Sequence, residues 1–315
     1  MSSNRFGQQS YGQQQQAQRR RGLFGNVRWW ILIAFAVYAA VSWFGGKQTD
    51  PYTGEDAHYG ATPEEEVQLG AQAFQQVVGD ANAQGALLPP GSAESQNVSE
   101  IAKRLISVVP QVSADLAAMN KQEVPTSYKG FEWSAAVINS EEANAFCLPG
   151  GKIAVYTGLL PITQNNDALA VVMGHEIAHA LLRHGSQRMA QQKLVQMGQM
   201  AAGVAGVDQS TMSALGAGVQ YGLILPYGRN HETQADKVGL MLAAAACYNP
   251  EAAIPLWQRM SELGGGARPP EFASTHPDPA NRIQTLQALM PQAKQFYQKY
   301  CQRAAPGATG VTGAK

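Results

Sequence analysis

The sequence predicts an α+β fold, mostly helical with a small β-sheet, preceded by one transmembrane helix. Three observations lead to this prediction. Residues 27–46 are almost wholly apolar, and a run of that length suits a membrane span. Residues 130–156 hold short β-rich runs separated by turn residues. After residue 158 the apolar residues follow a helical pattern nearly to the end of the chain.

The N-terminal part predicts a tail followed by a membrane anchor. Residues 1–18 are rich in Gln, Gly and Ser, and an arginine cluster follows at 19–21, so we predict a disordered cytoplasmic tail over residues 1–26. Twenty helical residues at 27–46 would span about 30 Å, and tryptophans stand near both ends. A cleaved signal peptide is the closest alternative, although its apolar region would be shorter. We predict an uncleaved signal anchor whose arginines stay in the cytoplasm while the C-terminal part crosses the membrane.

The remainder of the chain divides into a linker, one domain and a second tail. We predict a linker over residues 47–61, the folded domain over residues 62–303 and a disordered tail over residues 304–315. The domain opens with a helix start: Thr62 caps, Pro63 takes the first helical position, and three glutamates follow at the positive end of the helix dipole.

The β-rich segment predicts a sheet of about three strands before the long helices. Ile153–Tyr156, which follows the turn Pro149-Gly150-Gly151, is open to two interpretations. As an edge strand near a cleft it could bind an extended peptide through backbone hydrogen bonds. As an interior strand it could not, and the sequence leaves both possibilities open.

Charge and cysteine content exclude two classes of function. The chain has 23 basic and 23 acidic residues, but the first 49 residues carry six basic groups and no acidic one. The rest therefore holds 17 basic and 23 acidic residues, a net charge of about −6, which argues against a nucleic-acid partner. The three cysteines are far apart and form no CxxC pair, which excludes a cysteine zinc site or a thioredoxin-like motif.

A metal-ligand motif lies in the helix predicted from Asn166 to Gly185. His175 and His179 are four residues apart, so they lie on one helical face, one turn apart, within reach of a single Zn²⁺. Glu176 projects roughly 100° away from His175, where it can contact a water on the metal without ligating the metal. Metal-assisted peptide hydrolysis needs this arrangement of an open coordination position beside a carboxylate base.

A catalytic zinc site takes a third protein ligand, for which two segments offer candidates. His184 lies half a turn away from His175 on a continuous helix, so we interpret it as a solvated histidine that favours the C-terminal helix dipole. Glu232 opens another helix and shares a face with Asp236, four residues later. We predict that Glu232 ligates the metal and that Asp236 orients a ligating histidine.

Further motifs carry a resemblance to a known family between about Thr62 and Gln302. They are Asn144-Ala145-Phe146, Pro149-Gly150-Gly151, Thr157-Gly158-Leu159, His175 to His179, Pro226-Tyr227, Arg229, Glu232, Ala235-Asp236 and His276-Pro277. With this set the chain resembles the gluzincin metallopeptidases that include the CAAX prenyl proteases, HtpX and BepA. It is most similar to the stress-protease branch of the mitochondrial inner membrane and its bacterial relatives. One departure is Gln234, which stands where an acidic residue is common.

The resemblance implies a zincin-type domain with one Zn²⁺ per chain. It assigns His175, His179 and Glu232 as ligands and Glu176 as the general base. It also places His276 and Arg282 at the active site, where His276 would either gate the metal or stabilise the oxyanion. Without the resemblance, we would interpret His276 as a loop histidine and Arg282 as a surface cation.

The predicted function is that of a membrane-anchored zinc metalloendopeptidase. The anchor and the family imply polypeptide substrates, namely misfolded or misassembled membrane or envelope proteins, and contact with the bilayer through residues 27–46. The alternative is a chaperone-like envelope assembly factor with little proteolysis. We predict a single-pass protein of the bacterial inner membrane with a periplasmic domain; the alternative location is the mitochondrial inner membrane, facing the intermembrane space. The oligomeric state is left open.

The cysteines predict one disulfide. Cys247 and Cys301 both lie where a predicted helix ends, so a bridge between them could pin the last helix to the helix that carries Glu232. Cys147 lies inside an apolar strand and is predicted to pack as a small buried side chain. In an oxidising compartment, paired thiols become disulfides. We therefore predict a Cys247–Cys301 bridge, with Cys147 free.

Overall fold

The computed structural model describes residues 28–219, 225–264, 271–272, 276 and 279–301. The tails predicted at 1–26 and 304–315 lie outside the described residues. Within the described part, eleven α-helices and five strands follow one another along the chain. The helices are α1 (Trp29–Gly45), α2 (Pro63–Ala83), α3 (Ala93–Ser107), α4 (Val109–Met119), α5 (Leu160–Thr163), α6 (Asn166–Leu181), α7 (His184–Ala205), α8 (Gln209–Val219), α9 (Leu225–Ala245), α10 (Ala253–Gly264) and α11 (Pro279–Cys301); the strands are β1 (Gln48–Thr49), β2 (Asp56–Ala57), β3 (Ser134–Ile138), β4 (Ala145–Leu148) and β5 (Lys152–Tyr156).

The predicted α+β class is confirmed. A three-stranded sheet has the order β3-β5-β4, with β3 parallel and β4 antiparallel to β5. Ile153–Tyr156 is therefore in the central strand and not at an edge. Of the two edge strands of this sheet, β4 packs against α6 and β3 packs against α3. Helix α6 lies at the centre of the core, between this sheet and α9.

The predicted helix start at Thr62 is also confirmed. The Thr62 hydroxyl accepts a hydrogen bond from the Glu65 N–H, and the Glu65 carboxylate accepts one from the Thr62 N–H, which completes a capping box with Pro63 at the first position. The segment 47–61, predicted as a linker, is part of the packed structure. It contains the antiparallel β1–β2 hairpin, and the Tyr52 side chain, only 1% exposed, accepts a hydrogen bond from the Ser113 hydroxyl.

Helix α1 lies along α7. The Arg28 backbone N–H donates to the Ala205 carbonyl at 2.8 Å at one end of the pair, and the Phe35 ring packs against Gly198 further along. At the other end of α1, His58 stacks on Trp43. Helix α1 covers 17 residues, and across the described ranges none of the helices combines the length and the apolarity that a bilayer span requires. The predicted transmembrane helix is thus not confirmed.

The disulfide prediction is confirmed. Cys247 and Cys301 are bonded, with their Cα atoms 5.5 Å apart. The bridge joins the chain just after α9 to the last residue of α11, and these two helices pack together. Cys147 is free and buried in β4.

Candidate metal centre

The HExxH motif lies on a helix without a solvated face. Asn165 caps α6 by accepting a hydrogen bond from the Ala168 N–H, and every side chain from Ala168 to Leu181 is buried. His175, Glu176 and His179 are among them, with exposed fractions of 3 to 7%. Polar groups buried this deeply need partners, and elements packed on α6 supply them.

Two glycines bring the ligand-bearing helices together. Where α6 crosses α9, a Cβ on Gly174 would lie 2.7 Å from the Gly239 carbonyl oxygen, and a Cβ on Gly239 would lie 2.6 Å from the His175 backbone. Because the two backbones approach this closely, no side chain fits at either position. This contact sets the distance from His175 to the acidic residues of α9. The role of both glycines depends on the partner helix, so no local sequence pattern indicates it.

The predicted ligands converge at this crossing. The His175 Nε2 atom is 3.0 Å from His179 Nε2 and 3.3 Å from Glu232 Oε2, while His179 Nε2 is 3.5 Å from Glu232 Oε1. On the other side of the His175 ring, Nδ1 is 3.0 Å from Asp236 Oδ1. The structure thus brings together the three predicted ligands and the predicted orienting carboxylate.

The donor set fits Zn²⁺. Donors about 2.0–2.2 Å from a tetrahedral ion lie roughly 3.3–3.5 Å apart, which is close to the observed spacing. Burial and the charge of Arg282 lower the pKa of His175, but hydrogen bonds to Asp236 and Glu232 outweigh them and raise it to about 9. Burial would raise the pKa of Glu232, yet the hydrogen bonds from His175 and His276 and the charge of the His175 ring hold it well below its usual range. The cluster therefore favours positive charge at its centre.

His276 reaches the same centre from a different part of the chain. Together with His175, His179 and Glu232 it offers four ligand atoms that all lie within 4.8 Å of one another. Its Nδ1 atom is 2.8 Å from Glu232 Oε2, and its Nε2 atom is 3.4 Å from Glu176 Oε1. The Phe272 ring stacks on the His276 ring at 4.6 Å. His276 could be predicted only from the family resemblance, and no motif in the sequence indicates Phe272.

Arg282, on α11, is buried at the centre and bridges the two acidic residues of α9. Its guanidinium donates to Asp236 Oδ1 at 2.6 Å and to Glu232 Oε2 at 3.2 Å. The guanidinium lies over the Trp257 ring, 3.6 Å from its centroid. Two carboxylates and an aromatic face thus compensate the buried positive charge. Arg282 is therefore not the surface cation that its sequence context alone suggests.

Glu176 lies beside the ligands, and opposing effects act on the pKa of its carboxyl group. Burial raises its pKa, while the His276 and His175 charges act in the opposite direction. The Oε1 atom is buried and accepts no hydrogen bond from the described residues, and the His276 Nε2 atom lies 3.4 Å from it. A carboxylate held in this way can accept a proton from a reacting molecule.

The interpretation of His184 as a solvated histidine is wrong. Helix α6 ends at Leu181, and Arg183 has a left-handed backbone with φ 57°, so the helix is interrupted before α7 begins at His184. His184 is therefore completely buried, with its Nδ1 atom 2.8 Å from Nδ1 of His179. Its Nε2 atom is 2.9 Å from Gln234 Oε1. The prediction assumed one continuous helix, and nothing in the sequence marks the left-handed residue.

Comparison with known proteins supplies the family. The model of peptidase family M48 matches residues 105–290. The mitochondrial metalloendopeptidase OMA1 of Schizosaccharomyces pombe is 30% identical over 266 residues, which cover 84% of this chain and 73% of that protein. The human metalloendopeptidase OMA1 is 35% identical over 196 residues, 59% of this chain and 37% of that protein. The beta-barrel assembly-enhancing protease of Escherichia coli is 30% identical over 157 residues, 47% of this chain and 32% of that protein.

The family match covers more than half of the chain and includes the parts of α6, α9 and α11 that meet at the centre. The donor set there suits the zinc that this family uses. The resemblance drawn from the motifs is thereby confirmed, and this chain belongs to peptidase family M48, as a zinc metallopeptidase.

Proposed function

We propose that this chain is an endopeptidase whose Zn²⁺ is held by His175, His179 and Glu232 and whose general base is Glu176. One observation carries the proposal. Donor atoms from α6 and α9 meet at the spacing of a tetrahedral ion, with a buried carboxylate beside them that makes no hydrogen bond to the described residues. Three protein ligands with an adjacent base are the composition of a catalytic site rather than a structural one.

Glu176 would move the proton during hydrolysis. Bound zinc supplies Lewis acidity, which polarises the scissile carbonyl and lowers the pKa of a water molecule. The Glu176 carboxylate accepts the proton of the attacking water and later passes it to the nitrogen of the leaving amine. Because burial raises the pKa of Glu176, its conjugate acid holds that proton more firmly than an exposed glutamic acid would. Asp236 keeps the His175 ring in orientation through Nδ1.

His276 and Arg282 complete the site from parts of the chain outside α6 and α9. His276 contacts both the base and a ligand, and Arg282 contacts a ligand and the orienting Asp236. When negative charge develops on the carbonyl oxygen of the substrate, the Arg282 guanidinium and the His276 ring would offer it hydrogen-bond donors. We therefore propose that they stabilise this charge. As a fourth donor, His276 would alternatively gate access to the metal.

The edge of β4 is the proposed binding position for an extended substrate. β4 pairs with β5 through the hydrogen-bonding positions of Phe146 and Leu148, so the backbone groups of Ala145 and Cys147 point away from β5. The Ala145 N–H donates to the Asn144 side chain, which an incoming peptide would have to replace. Cys147 is close enough to Glu176 for the carboxylate to raise the pKa of its thiol, after burial itself. A peptide added to this edge would run past the base and be held through its backbone.

The outer surface supports membrane attachment. Most of the large apolar side chains of α1 are exposed, including Trp30 at 70%, Val41 at 69% and Phe44 at 75%, and Met200 and Val204 add exposed apolar area on the adjacent α7. An apolar surface of this size marks contact with a membrane or another protein. We propose that residues 27–46 contact the bilayer and that the substrates are misfolded or misassembled membrane or envelope proteins.

The disulfide supports an oxidising compartment for the domain. We propose the bacterial inner membrane with a periplasmic domain; the mitochondrial inner membrane, facing the intermembrane space, is the second location. Fusion of a compartment-sensitive reporter after residue 301 tests this orientation. Activity of the reporter on the cytoplasmic side alone would exclude both locations.

A second candidate function is assistance of envelope assembly with little proteolysis. It rests on the name of the Escherichia coli relative, which combines beta-barrel assembly with protease activity. A buried carboxylate base beside three metal ligands is superfluous for a pure chaperone, so the site favours hydrolysis. A Glu176→Gln variant separates the two functions, because assembly assistance would survive in it.

The proposed function is tested by zinc content and casein cleavage of wild type, Glu176→Gln and Glu123→Gln. Glu123 is an exposed glutamate after α4 and receives the same substitution as a matched control. We expect one zinc per chain in all three proteins and a loss of about 10²–10⁴-fold in the rate for Glu176→Gln only. Full cleavage by Glu176→Gln, or absence of zinc from the wild type, would contradict the proposal.

A further inference from the structure

A line of four polar side chains leads from the metal centre to the surface. The His179 Nδ1 atom is 2.8 Å from His184 Nδ1, and the His184 Nε2 atom is 2.9 Å from Gln234 Oε1. The Gln234 Nε2 atom donates to the Glu55 carboxylate at 2.8 Å. We call these side chains of His179, His184, Gln234 and Glu55 the His184 relay. It joins α6, α7 and α9 to the hairpin that follows α1.

The carboxylate of Glu55, at the outer end of the relay, determines which nitrogen atoms along the relay carry a proton. An ionised carboxylate only accepts, so Glu55 must receive the amide N–H of Gln234. The amide oxygen of Gln234 then faces His184 and can only accept, so His184 carries its proton on Nε2. In the neutral ring the Nδ1 atom of His184 is then an acceptor. His179 must accordingly donate from Nδ1, which leaves the lone pair of its Nε2 atom directed at His175 and Glu232.

Packing holds the His184 ring in this orientation. His184 is completely buried, and Gln234 is 6% exposed. The His231 ring stacks on His184 with centroids 4.0 Å apart and planes inclined by 14°, while His231 itself is 3.2 Å from the Gln187 side-chain oxygen. Rotation of the His184 ring would break both of its hydrogen bonds and this stack.

The two ligating histidines are thus oriented by different means. His175 has a carboxylate, Asp236, directly at its Nδ1 atom. His179 has a neutral imidazole there, and the nearest carboxylate along the relay belongs to Glu55, two side chains further on. The Asn230 side chain also donates to Glu55 at 2.8 Å, which fixes the carboxylate against α9.

We propose that His184, Gln234 and Glu55 are positioning residues that hold His179 in its Nδ1–H form, the form in which Nε2 can bind the metal. The inference rests on the proposed role of His179 as a ligand. It gives Gln234 a function as a neutral connector, since its amide accepts at one end and donates at the other. It also ties the metal centre to the hairpin between α1 and the domain.

The test is zinc affinity of the full chain, measured by competition with a chromogenic chelator. His184→Phe removes the acceptor and keeps a buried ring, so we expect a dissociation constant about 10–100-fold higher. His184→Asn offers an amide oxygen near the Nδ1 position and should restore most of the affinity. His231→Phe is the matched control, because it makes the same exchange in the stacked ring outside the relay; we expect less than about a threefold change. Equal affinity of His184→Phe and wild type, or equal losses in His184→Phe and His231→Phe, would overturn the proposal.

A second readout reports the tautomers directly. In ¹⁵N-histidine-labelled protein without zinc, NMR should show His179 protonated at Nδ1 and His184 at Nε2. Gln234→Leu removes the acceptor for His184 and should convert part of the His184 and His179 population to the opposite tautomers, with about tenfold weaker zinc binding. If His184→Phe does not fold, Gln234→Leu decides the question: unchanged tautomers and unchanged affinity would refute the relay.

Failure of the relay and failure of the proposed function are distinguishable. His179→Ala should abolish the specific zinc site whatever orients the ring. If His179→Ala loses zinc while both relay variants bind as the wild type does, only the relay is refuted. If His179→Ala retains zinc at the wild-type affinity, the ligand assignment fails, and the relay fails with it.

Discussion

Helices α6 and α1 are both rich in apolar residues, yet they occupy opposite environments. All side chains of α6 from Ala168 to Leu181 are buried. Helix α1, Trp29–Gly45, has no buried residue. The difference lies in the polar residues. Those of α6 have partners on α9 and on α11, whereas α1 carries no charged residue to be paired. The apolar composition of a helix therefore indicates only that its side chains avoid water. Its polar residues indicate the surface against which it packs.

The largest expected effect comes from placing the same charge in both helices. Val172 of α6 is 2% exposed, and Val172→Lys would bury an unpaired ammonium group at a cost above about 4 kcal/mol. This is a large part of the total stability of a domain, so we expect little folded protein. Val37 of α1 is 59% exposed, and Val37→Lys should change the free energy of unfolding by less than about 0.5 kcal/mol.

The two lysine variants are compared by urea unfolding and by co-sedimentation with lipid vesicles. Val37→Lys should fold normally and bind vesicles less well, since a lysine within a bilayer costs about 2.5–3.5 kcal/mol. Equal vesicle binding by Val37→Lys and wild type would mean that α1 is not in contact with lipid. Normal stability of Val172→Lys would mean that α6 is not the central helix.

Some residues of the site could be predicted from local sequence patterns, and others could not. His175, Glu176 and His179 follow from helical geometry alone, and Glu232 with Asp236 follows from the same spacing on a second helix. His276 and Arg282 needed the family resemblance, because tertiary packing alone brings them to the centre. His184 was misplaced because a left-handed residue at Arg183 interrupts the helix on which its position was calculated.

Three further features that local patterns left open or did not show have the same origin. The central position of β5 depends on pairing with a strand earlier in the chain, which the local pattern of Ile153–Tyr156 does not encode. The close approach at Gly174 and Gly239 depends on the facing helix. The segment 47–61 resembles a linker in composition, and its order comes from contacts such as Tyr52 with Ser113. Local patterns predicted elements and motifs, and long-range contacts determined the rest.

The next prediction concerns the close contact at Gly174 and Gly239, which positions α6 against α9. Gly239→Ala puts a methyl group 2.6 Å from the His175 backbone, so α6 and α9 must move apart. We expect a loss of about 3 kcal/mol, the upper end of the range for overpacked cores, and weaker zinc binding because the ligands separate. Thermal unfolding and zinc content are the measurements. Gly79→Ala in α2 is the control, since a Cβ there has no neighbour within 4 Å and should stabilise the helix by about 0.5–1 kcal/mol. Similar behaviour of the two variants would show that the glycine contact does not place α6.

The smallest expected effect concerns Asp50, in the hairpin that connects the exposed helix α1 to the domain. Burial raises the pKa of Asp50 to about 6, although hydrogen bonds from Thr53 and Tyr52 oppose the shift. The native state thus binds this proton more tightly than the unfolded chain, and stability should fall as pH rises from about 4 to about 6. The shift of about 2 pKa units corresponds to at most about 3 kcal/mol in the free energy of unfolding.

Asp50→Asn removes the buried charge but weakens the hydrogen bonds from the N–H groups of Tyr52 and Thr53. We therefore expect the free energy of unfolding to rise by roughly 1.5 kcal/mol at pH 7. Urea unfolding between pH 4 and 7 should show a flatter profile for Asp50→Asn than for wild type, while Asp56→Asn, an exposed carboxylate of the same hairpin, should follow the wild type. Parallel profiles for Asp50→Asn and wild type would show that the hairpin does not hold Asp50 out of water.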